Sequence, residues 1–183
     1  MNLAKTIEHT HLKANARQAT IEELCEQVIL HGLGGACVPP YFAPFAVQQL
    51  EGHPAFVTTV IGYPMGYSAT AAKVEEIKRA LGEGCDEVDV VANLCALKDG
   101  RWAFFRNDVD SVTRAGHLKG KAVKIILEVG LLSEEELQRA CEICVELEVD
   151  FVKTSTGMLS DGATPAQVRQ LRKWLPGRIK IKA

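Results

Sequence analysis

The sequence has no excess of charge in either direction. Its formal net charge is -2, and its lysines and arginines are scattered rather than gathered. Neither a nucleic acid backbone nor an anionic membrane surface meets a basic footprint here. No apolar run approaches the roughly 20 residues that cross a bilayer as a helix, and residues 1–15 lack the apolar core of a secretory signal. No second cysteine pair accompanies Cys141-x-x-Cys144, while Cys25, Cys37, Cys85 and Cys95 stand singly inside apolar segments. That usage speaks against a disulfide framework and for reduced thiols in a cytoplasmic protein, with Cys141 and Cys144 packed in a core. Also missing are a G-x-G-x-x-G turn after the first strand and a Walker-type phosphate loop. Their absence weighs against a doubly wound nucleotide-binding sheet.

What is present is alternation. Short, near-continuously apolar runs begin near residues 7, 34, 56, 87, 122, 150 and 178, and amphipathic stretches separate them. Helices are expected from Thr20 (with Glu23 completing a capping box), over about Tyr41 to Leu50, over 70–82, from Trp102 to Ala115, from Ser133 to Leu147, and from Thr164-Pro165 onward. Strands that are apolar throughout belong to a parallel sheet covered by helices. The α/β repeat is that of a (β/α)8 (TIM) barrel, read as a single domain over residues 1–183. Seven strands are legible where a closed barrel uses eight. We therefore expect a barrel lacking its eighth strand in this chain, truncated at the C-terminus, since an unclosed barrel leaves two unpaired edges.

Within the strands, charge sits where it is expensive. In the segment D-F-V-K-T-S-T-G, Asp150 to Gly157, Lys153 lies in the middle of an apolar strand. A buried ammonium must find partners, reach a strand end, or lose its proton. The two-residue period gives Lys153 company. Asp89 lies between Val88 and Val90, Lys124 between Val123 and Ile125, and Lys182 between Ile181 and Ala183. Four successive strands thus aim one carboxylate and three ammonium groups into one lumen. Repulsion among the ammonium groups is expected to depress the most desolvated lysine. The reaction class that uses a free lysine amine is Schiff-base formation with an aldehyde or ketone, with Asp89 and a second lysine moving protons. Lys180 shares the face of Lys182 one layer lower and is expected near the barrel bottom, or beside an acidic partner such as Glu8 or Glu128.

The motifs D-E-V-D-V-V at 86–91, V-K-T-S-T-G at 152–157 and K-A at 182–183, with A-C-V at 36–38 and V-K-I-I-L-E at 123–128, resemble those of the deoxyribose-phosphate aldolase family. The resemblance runs from the first strand to the last residue. It implies a class I, metal-free aldolase that reversibly cleaves 2-deoxy-D-ribose 5-phosphate to D-glyceraldehyde 3-phosphate and acetaldehyde. On the matching motifs, Lys153 is the Schiff-base lysine, and Asp89 and Lys182 form the proton relay through an ordered water. Cys37 lines the acetaldehyde end, Lys124 belongs to the substrate site, and Thr156 and Gly157 approach the substrate, where backbone N–H groups can meet phosphate. The implied partners are a sugar phosphate and acetaldehyde, with no cofactor, nucleic acid or membrane, and the pattern is compatible with a homodimer.

Two departures stand out. The family opens D-H-T-L-L, and this chain reads Glu8-His9-Thr10-His11-Leu12. The pair His9-x-His11 is too little for a metal site. The S-G-G that continues K-A in the family, and the Gly/Ser-rich segment of the phosphate site, lie past Ala183. Two alternatives follow: another Schiff-base sugar-phosphate aldolase, or a truncated, catalytically inert aldolase-like fragment.

Overall fold

Strands such as Phe56–Ile61 and Glu87–Val91 have too little polar surface to face water on their outer side, and the chain supplies helices between them to cover it. The computed structural model describes residues 2–160 and 162–183. Its seven strands are β1 (Glu8–Thr10), β2 (Gly35–Val38), β3 (Phe56–Ile61), β4 (Glu87–Val91), β5 (Ala122–Ile126), β6 (Phe151–Lys153) and β7 (Lys180–Lys182). They are all parallel and lie side by side in sequence order. An order without a reversal point is that of a barrel wall and not of a doubly wound sheet. Seven of the eight strands of a (β/α)8 barrel are therefore in this chain. Among the described residues no ladder pairs β7 with β1. Their approach is marked by the Lys182 ammonium, which donates to the Glu8 carboxylate across 174 positions of sequence.

The helices are α1 (Gln18–Leu30), α2 (Ala43–Gln49), α3 (Thr70–Gly82), α4 (Leu94–Lys98), α5 (Trp102–His117), α6 (Glu134–Glu146) and α7 (Pro165–Trp174). Three boundaries differ from expectation, each for a local reason. The first turn of α1 is closed by the Arg17 carbonyl, which accepts from Thr20 and Ile21 N–H, so Thr20 lies inside the helix rather than capping it. Pro44 lacks an N–H and is tolerated only in a first turn, so α2 starts at Ala43, after a 3-10 turn over Pro40–Phe42. The Asn93 side chain accepts from Ala96 N–H and starts α4, an element the apolar periodicity had not shown. Both other N-terminal signals form as read. Ser133 and Glu136 make a reciprocal capping box, and Pro165 takes the first position of α7 behind Thr164.

The main core lies between the outer sheet face and the helices, with Val88, Val90, Val123, Ile125 and Val152 meeting residues such as Ile77, Val109, Leu137 and Cys141. Cys141 and Cys144 sit side by side in that core on α6. Burial pushes the Cys141 thiol up to about 12 and that of Cys144 well above its ordinary value. These are packing residues. No described helix is long and apolar enough to cross a membrane.

One core feature was not legible as a pattern. Lys73 of α3 and Asp108 of α5 are fully enclosed, with Nζ 2.5 Å from Oδ2. Lys73 also donates to the carbonyls of Gly66 and Val91, each at 3.2 Å, and Thr70 Oγ1 donates to Asp108 Oδ1 at 2.8 Å. The pair thereby ties the loop after β3 and the end of β4 to the helices behind them. Removing one partner leaves a buried charge alone. Asp108→Ala is expected to cost about 3–5 kcal/mol, measured as a lower urea midpoint with an unchanged slope.

Candidate active site

The pleat of β4, β5, β6 and β7 turns Asp89, Lys124, Lys153 and Lys182 to the inner face of the sheet, and the register sets them beside one another. Asp89 pairs in register with Lys124, and Lys153 with Lys182. Lys153 Nζ donates to Asp89 Oδ2 at 2.6 Å, and Lys182 Nζ donates to the same oxygen at 2.8 Å. Lys124 Nζ stands 3.1 Å from the other oxygen, Oδ1, outside hydrogen-bond geometry. One carboxylate with no exposed surface is thus shared by three ammonium groups.

Two further carboxylates complete the charge balance. Glu8 of β1 bonds to Lys182 and lies 3.5 Å from Lys124, and Glu87 Oε2 lies 2.5 Å from Lys124. Three cations therefore face three anions, which explains how the lumen tolerates so much charge. Glu87 could have been found from the sequence, since it lies two residues before Asp89 and shares its strand face. Glu8, a candidate partner for Lys180 by sequence, is instead beside Lys182 and Lys124. Lys180 is exposed, in register with Phe151, with Nζ 5.0 Å from that ring's centroid. Glu128 is not its partner either.

Lys124 donates to Thr58 Oγ1 at 3.3 Å and lies between the Phe56 and Phe151 rings, toward the N-terminal ends of the strands. It is fully out of solvent, whereas the Lys153 and Lys182 side chains keep 8% and 13% exposure. Lys124 therefore stands behind Asp89, and the two other lysines stand closer to solvent.

The electrostatics follow from this arrangement. Burial would push the Asp89 carboxyl up, but the charges of Lys182, Lys124 and Lys153 outweigh it and hold Asp89 well below the usual carboxylate range. Burial pulls the Lys124 ammonium down, yet Asp89, Glu8 and Glu87 outweigh both that and repulsion from Lys182, so Lys124 ends above its ordinary value. Lys182 is likewise raised, burial being overcome chiefly by Asp89. The expectation that the most desolvated lumen lysine would be depressed is thus corrected. Lys124 is that lysine, and the carboxylates around it reverse the effect of its burial.

Cys37 of β2 is fully buried. Burial first, and then the Asp89 charge, pushes its thiol up to about 11, so at neutral pH it is an uncharged lining group. Ligand atoms of Glu8, Cys37 and Asp89 lie within 4.8 Å of one another. The trio suits a metal ion poorly, because its carboxylates already hold ammonium groups and its thiol keeps its proton. His9 Nε2 is 2.6 Å from Gln27 Oε1 of α1, and the backbone N–H of His11 donates to the Cys37 carbonyl.

Beyond β6 the chain turns over the strand ends. Thr156 is buried, and its N–H donates to Glu128 Oε2 at 2.8 Å. The Thr156 amide is therefore not free to meet phosphate as expected. Gly157 follows at φ 76 with open space beside its Cα. Tyr63, from the loop after β3, reaches over and donates its hydroxyl to the Thr156 carbonyl at 2.8 Å, and burial pushes that phenol up to about 12. Tyr63 and Leu159 also pack on a small apolar cluster of Val91, Leu94 and Ile126. A cavity of about 490 Å³ opens beside this region between Pro39, Tyr41, Tyr63 and α3. None of the lumen lysines lines it. Its wall carries Tyr41, Tyr63, Ser68, Glu76 and Arg79 but no lysine, so an amine able to add to a carbonyl is found in the lumen cluster instead.

The low Asp89 value has a direct consequence for stability. In the unfolded chain Asp89 titrates near ~3.9, and in the fold it titrates lower. Between those values the unfolded state binds more protons, so the Asp89 contribution is complete above the unfolded value and is lost as pH falls toward the folded one. Urea unfolding from pH 5 to pH 2 is expected to show this loss in the wild type and a shallower dependence in Asp89→Asn.

Comparison with known proteins gives the family. Residues 3–175 match the profile described as DeoC/LacD family aldolase. A deoxyribose-phosphate aldolase of Thermococcus gammatolerans is 42% identical over 185 residues, covering 100% of this chain and 82% of that protein. Another from a Geobacillus strain is 44% identical over 183 residues, covering 100% of this chain and 81% of its own length. Among solved structures, the aldolase QR15 is 34% identical, with TM-score 0.93 over 100% of this chain and 81% of its own. A tetrameric deoxyribose phosphate aldolase from Aeropyrum pernix is 26% identical, with TM-score 0.92 over 99% and 76% of the two chains. A 4-hydroxy-tetrahydrodipicolinate synthase of Methylacidiphilum fumariolicum SolV, at 14% identity and TM-score 0.64, shares the fold alone. With its profile match spanning nearly the whole chain and its lumen built around a shared carboxylate, this chain belongs to the DeoC/LacD family of aldolases.

Proposed function

We propose that the protein cleaves 2-deoxy-D-ribose 5-phosphate reversibly to D-glyceraldehyde 3-phosphate and acetaldehyde through a Schiff base on Lys153. The observation that carries the reading is Asp89 Oδ2 held between Lys153 and Lys182 at 2.6 and 2.8 Å. In that arrangement a proton leaving one nitrogen has an acceptor within hydrogen-bond reach, and a second ammonium stands ready to return one. The names borne by the relatives supply the substrate.

The steps follow from what each group can do. The neutral amine of Lys153 adds to the C1 aldehyde of the open-chain sugar, and loss of water from the carbinolamine gives an iminium. The C3 hydroxyl then gives up its proton, the C2–C3 bond breaks, and its electrons flow into the iminium. Glyceraldehyde 3-phosphate leaves, and an enamine of acetaldehyde remains on Lys153. Protonation at C2 and hydrolysis release acetaldehyde and restore the amine. Asp89 and Lys182 are assigned the proton transfers, through an ordered water where the distance requires one. While Lys153 carries charge, Asp89 is a weak acceptor, since three ammonium groups hold it ionised. When the Lys153 nitrogen becomes a neutral carbinolamine, one of those charges is gone and the carboxylate becomes more basic. Lys124 maintains the ionised state of Asp89 from behind, and Cys37 is assigned to the wall beside the two-carbon fragment. The six free cysteines favour a reducing compartment, and the proposal places the enzyme in the cytoplasm, with a homodimer as its assembly.

Acetaldehyde with borohydride, followed by peptide mapping, tests the reading. A reduced two-carbon adduct on Lys153 is expected, with none after Lys153→Leu. An adduct on another lysine, or cleavage of deoxyribose 5-phosphate by the Leu variant, would overturn it. Activity on a keto-acid substrate in preference to deoxyribose 5-phosphate would favour a different aldolase. For Asp89→Asn, kcat is expected to fall by about 10²–10⁴-fold with KM changed far less. Equal losses in both would make Asp89 structural.

A further inference from the structure

The mechanism above makes no use of Glu128, the carboxylate that follows β5. It has no exposed surface, and its backbone lies in the left-handed region at φ 52, ψ 59, which residues with a side chain rarely adopt. A conformation of that kind persists only where surrounding contacts hold it. Here the contacts are specific. Glu128 Oε2 accepts the Thr156 N–H at 2.8 Å, and Oε1 accepts the Ser160 hydroxyl at 2.5 Å. The neighbouring backbone adds to the attachment, as Leu127 N–H donates to the Lys153 carbonyl and Val129 N–H to that of Thr154.

Thr156 is consequently held through three of its polar groups. Its N–H goes to Glu128, its carbonyl accepts from Tyr63, and its Oγ1 accepts the Met158 N–H at 3.1 Å. The next residue is Gly157, exposed and free of side-chain obstruction, four positions after Lys153. Tyr63 holds the peptide that carries the Gly157 N–H through the Thr156 carbonyl, and Glu128 holds the peptide before it through the Thr156 N–H. A carboxylate on the Thr156 N–H also leaves that donor unable to compete for an anion, so the turn offers later amides instead.

We propose that Glu128 is a positioning residue that sets the 154–160 turn for the phosphate end of the substrate, without taking part in the chemistry at Lys153. The inference rests on the aldolase reading given above. It separates two parts of one substrate. The two-carbon end meets Lys153, Asp89 and Lys182, none of which Glu128 touches, while the phosphate end meets the turn that Glu128 holds.

The experiment compares Glu128→Ala and Glu128→Asp with Glu128→Gln in the purified protein. It measures steady-state cleavage of 2-deoxyribose 5-phosphate and of unphosphorylated 2-deoxyribose, together with borohydride trapping of acetaldehyde on Lys153. Withdrawing the acceptor in the Ala and Asp variants is expected to raise KM for the phosphorylated sugar about tenfold, the effect of one buried donor left unpaired. The trapping rate and kcat/KM for the unphosphorylated sugar should stay within about twofold. The Gln variant, whose amide oxygen can still accept from Thr156, should return KM most of the way. The Asp variant keeps the charge and the test intact should Glu128→Ala fail to fold. Equal loss on the two sugars, slower trapping, or an unchanged KM in the Asp variant would each overturn the assignment. Failure of the wild type to trap acetaldehyde on Lys153 would instead overturn the reading on which it rests.

Discussion

Asp89 has no contact with solvent, and the rest of the lumen is arranged around keeping it ionised. A lone buried carboxylate would take up a proton, because the low-dielectric interior disfavours the charge. Three ammonium groups within 3.1 Å reverse that preference. They repel one another in turn, and Glu8 and Glu87 offset the repulsion. The result is a neutral set of six charges in which removal of any one leaves the buried cluster with a net charge. Such a cluster is weak evidence for stability, since burying the ions costs about as much as pairing them returns. On the proposed function it holds two nitrogens and an oxygen at proton-transfer distance.

That device depends on strand order and register. Asp89 and Lys153 come from strands separated by β5, and Glu8 comes from the far end of the sheet. Only a curled sheet brings Glu8 and Lys182 together. The curl follows from the parallel strands lying in sequence order with helices between them, and the ion pair between β1 and β7 marks its extent. The helices behind the sheet have a parallel role. Lys73 and Asp108 tie the loop after β3 and the end of β4, the strand that carries Asp89, to α3 and α5. A buried ion pair in the helical layer thus supports the wall on which the lumen cluster is built.

Much of this was readable from residue order. Asp89, Lys124, Lys153 and Lys182 are visible because a charge flanked by apolar residues in a strand has one face to go to, and strand period is a local property. The capping box at Ser133 and the helix start at Thr164-Pro165 are equally local and formed as read, whereas the box expected at Thr20 did not. Glu87 is legible by the same rule, since it lies two residues before Asp89 on the same strand face. Lys73 and Asp108 were not legible. On amphipathic helices a lysine and an aspartate read as solvent-facing, and their partners lie 35 residues apart in sequence. Glu128 was hidden for a different reason. Its role depends on a left-handed backbone turn and on a loop that folds back over the end of β6.

The sequence by itself determined the alternation of strands and helices, the inward face of each strand, and hence which four charges share a lumen. These depend on periodicity and hydrophobicity, which act over a few residues. Only the tertiary structure decided the sign of the Lys124 and Lys182 displacements, because that depends on distances between charges on different strands. Tertiary structure likewise gave Glu8 to Lys182 and Lys124, and the Thr156 amide to Glu128. Where one acceptor has several candidate donors, the pairing is set by how far the sheet curls and where its loops fall, and no short stretch of chain contains that information.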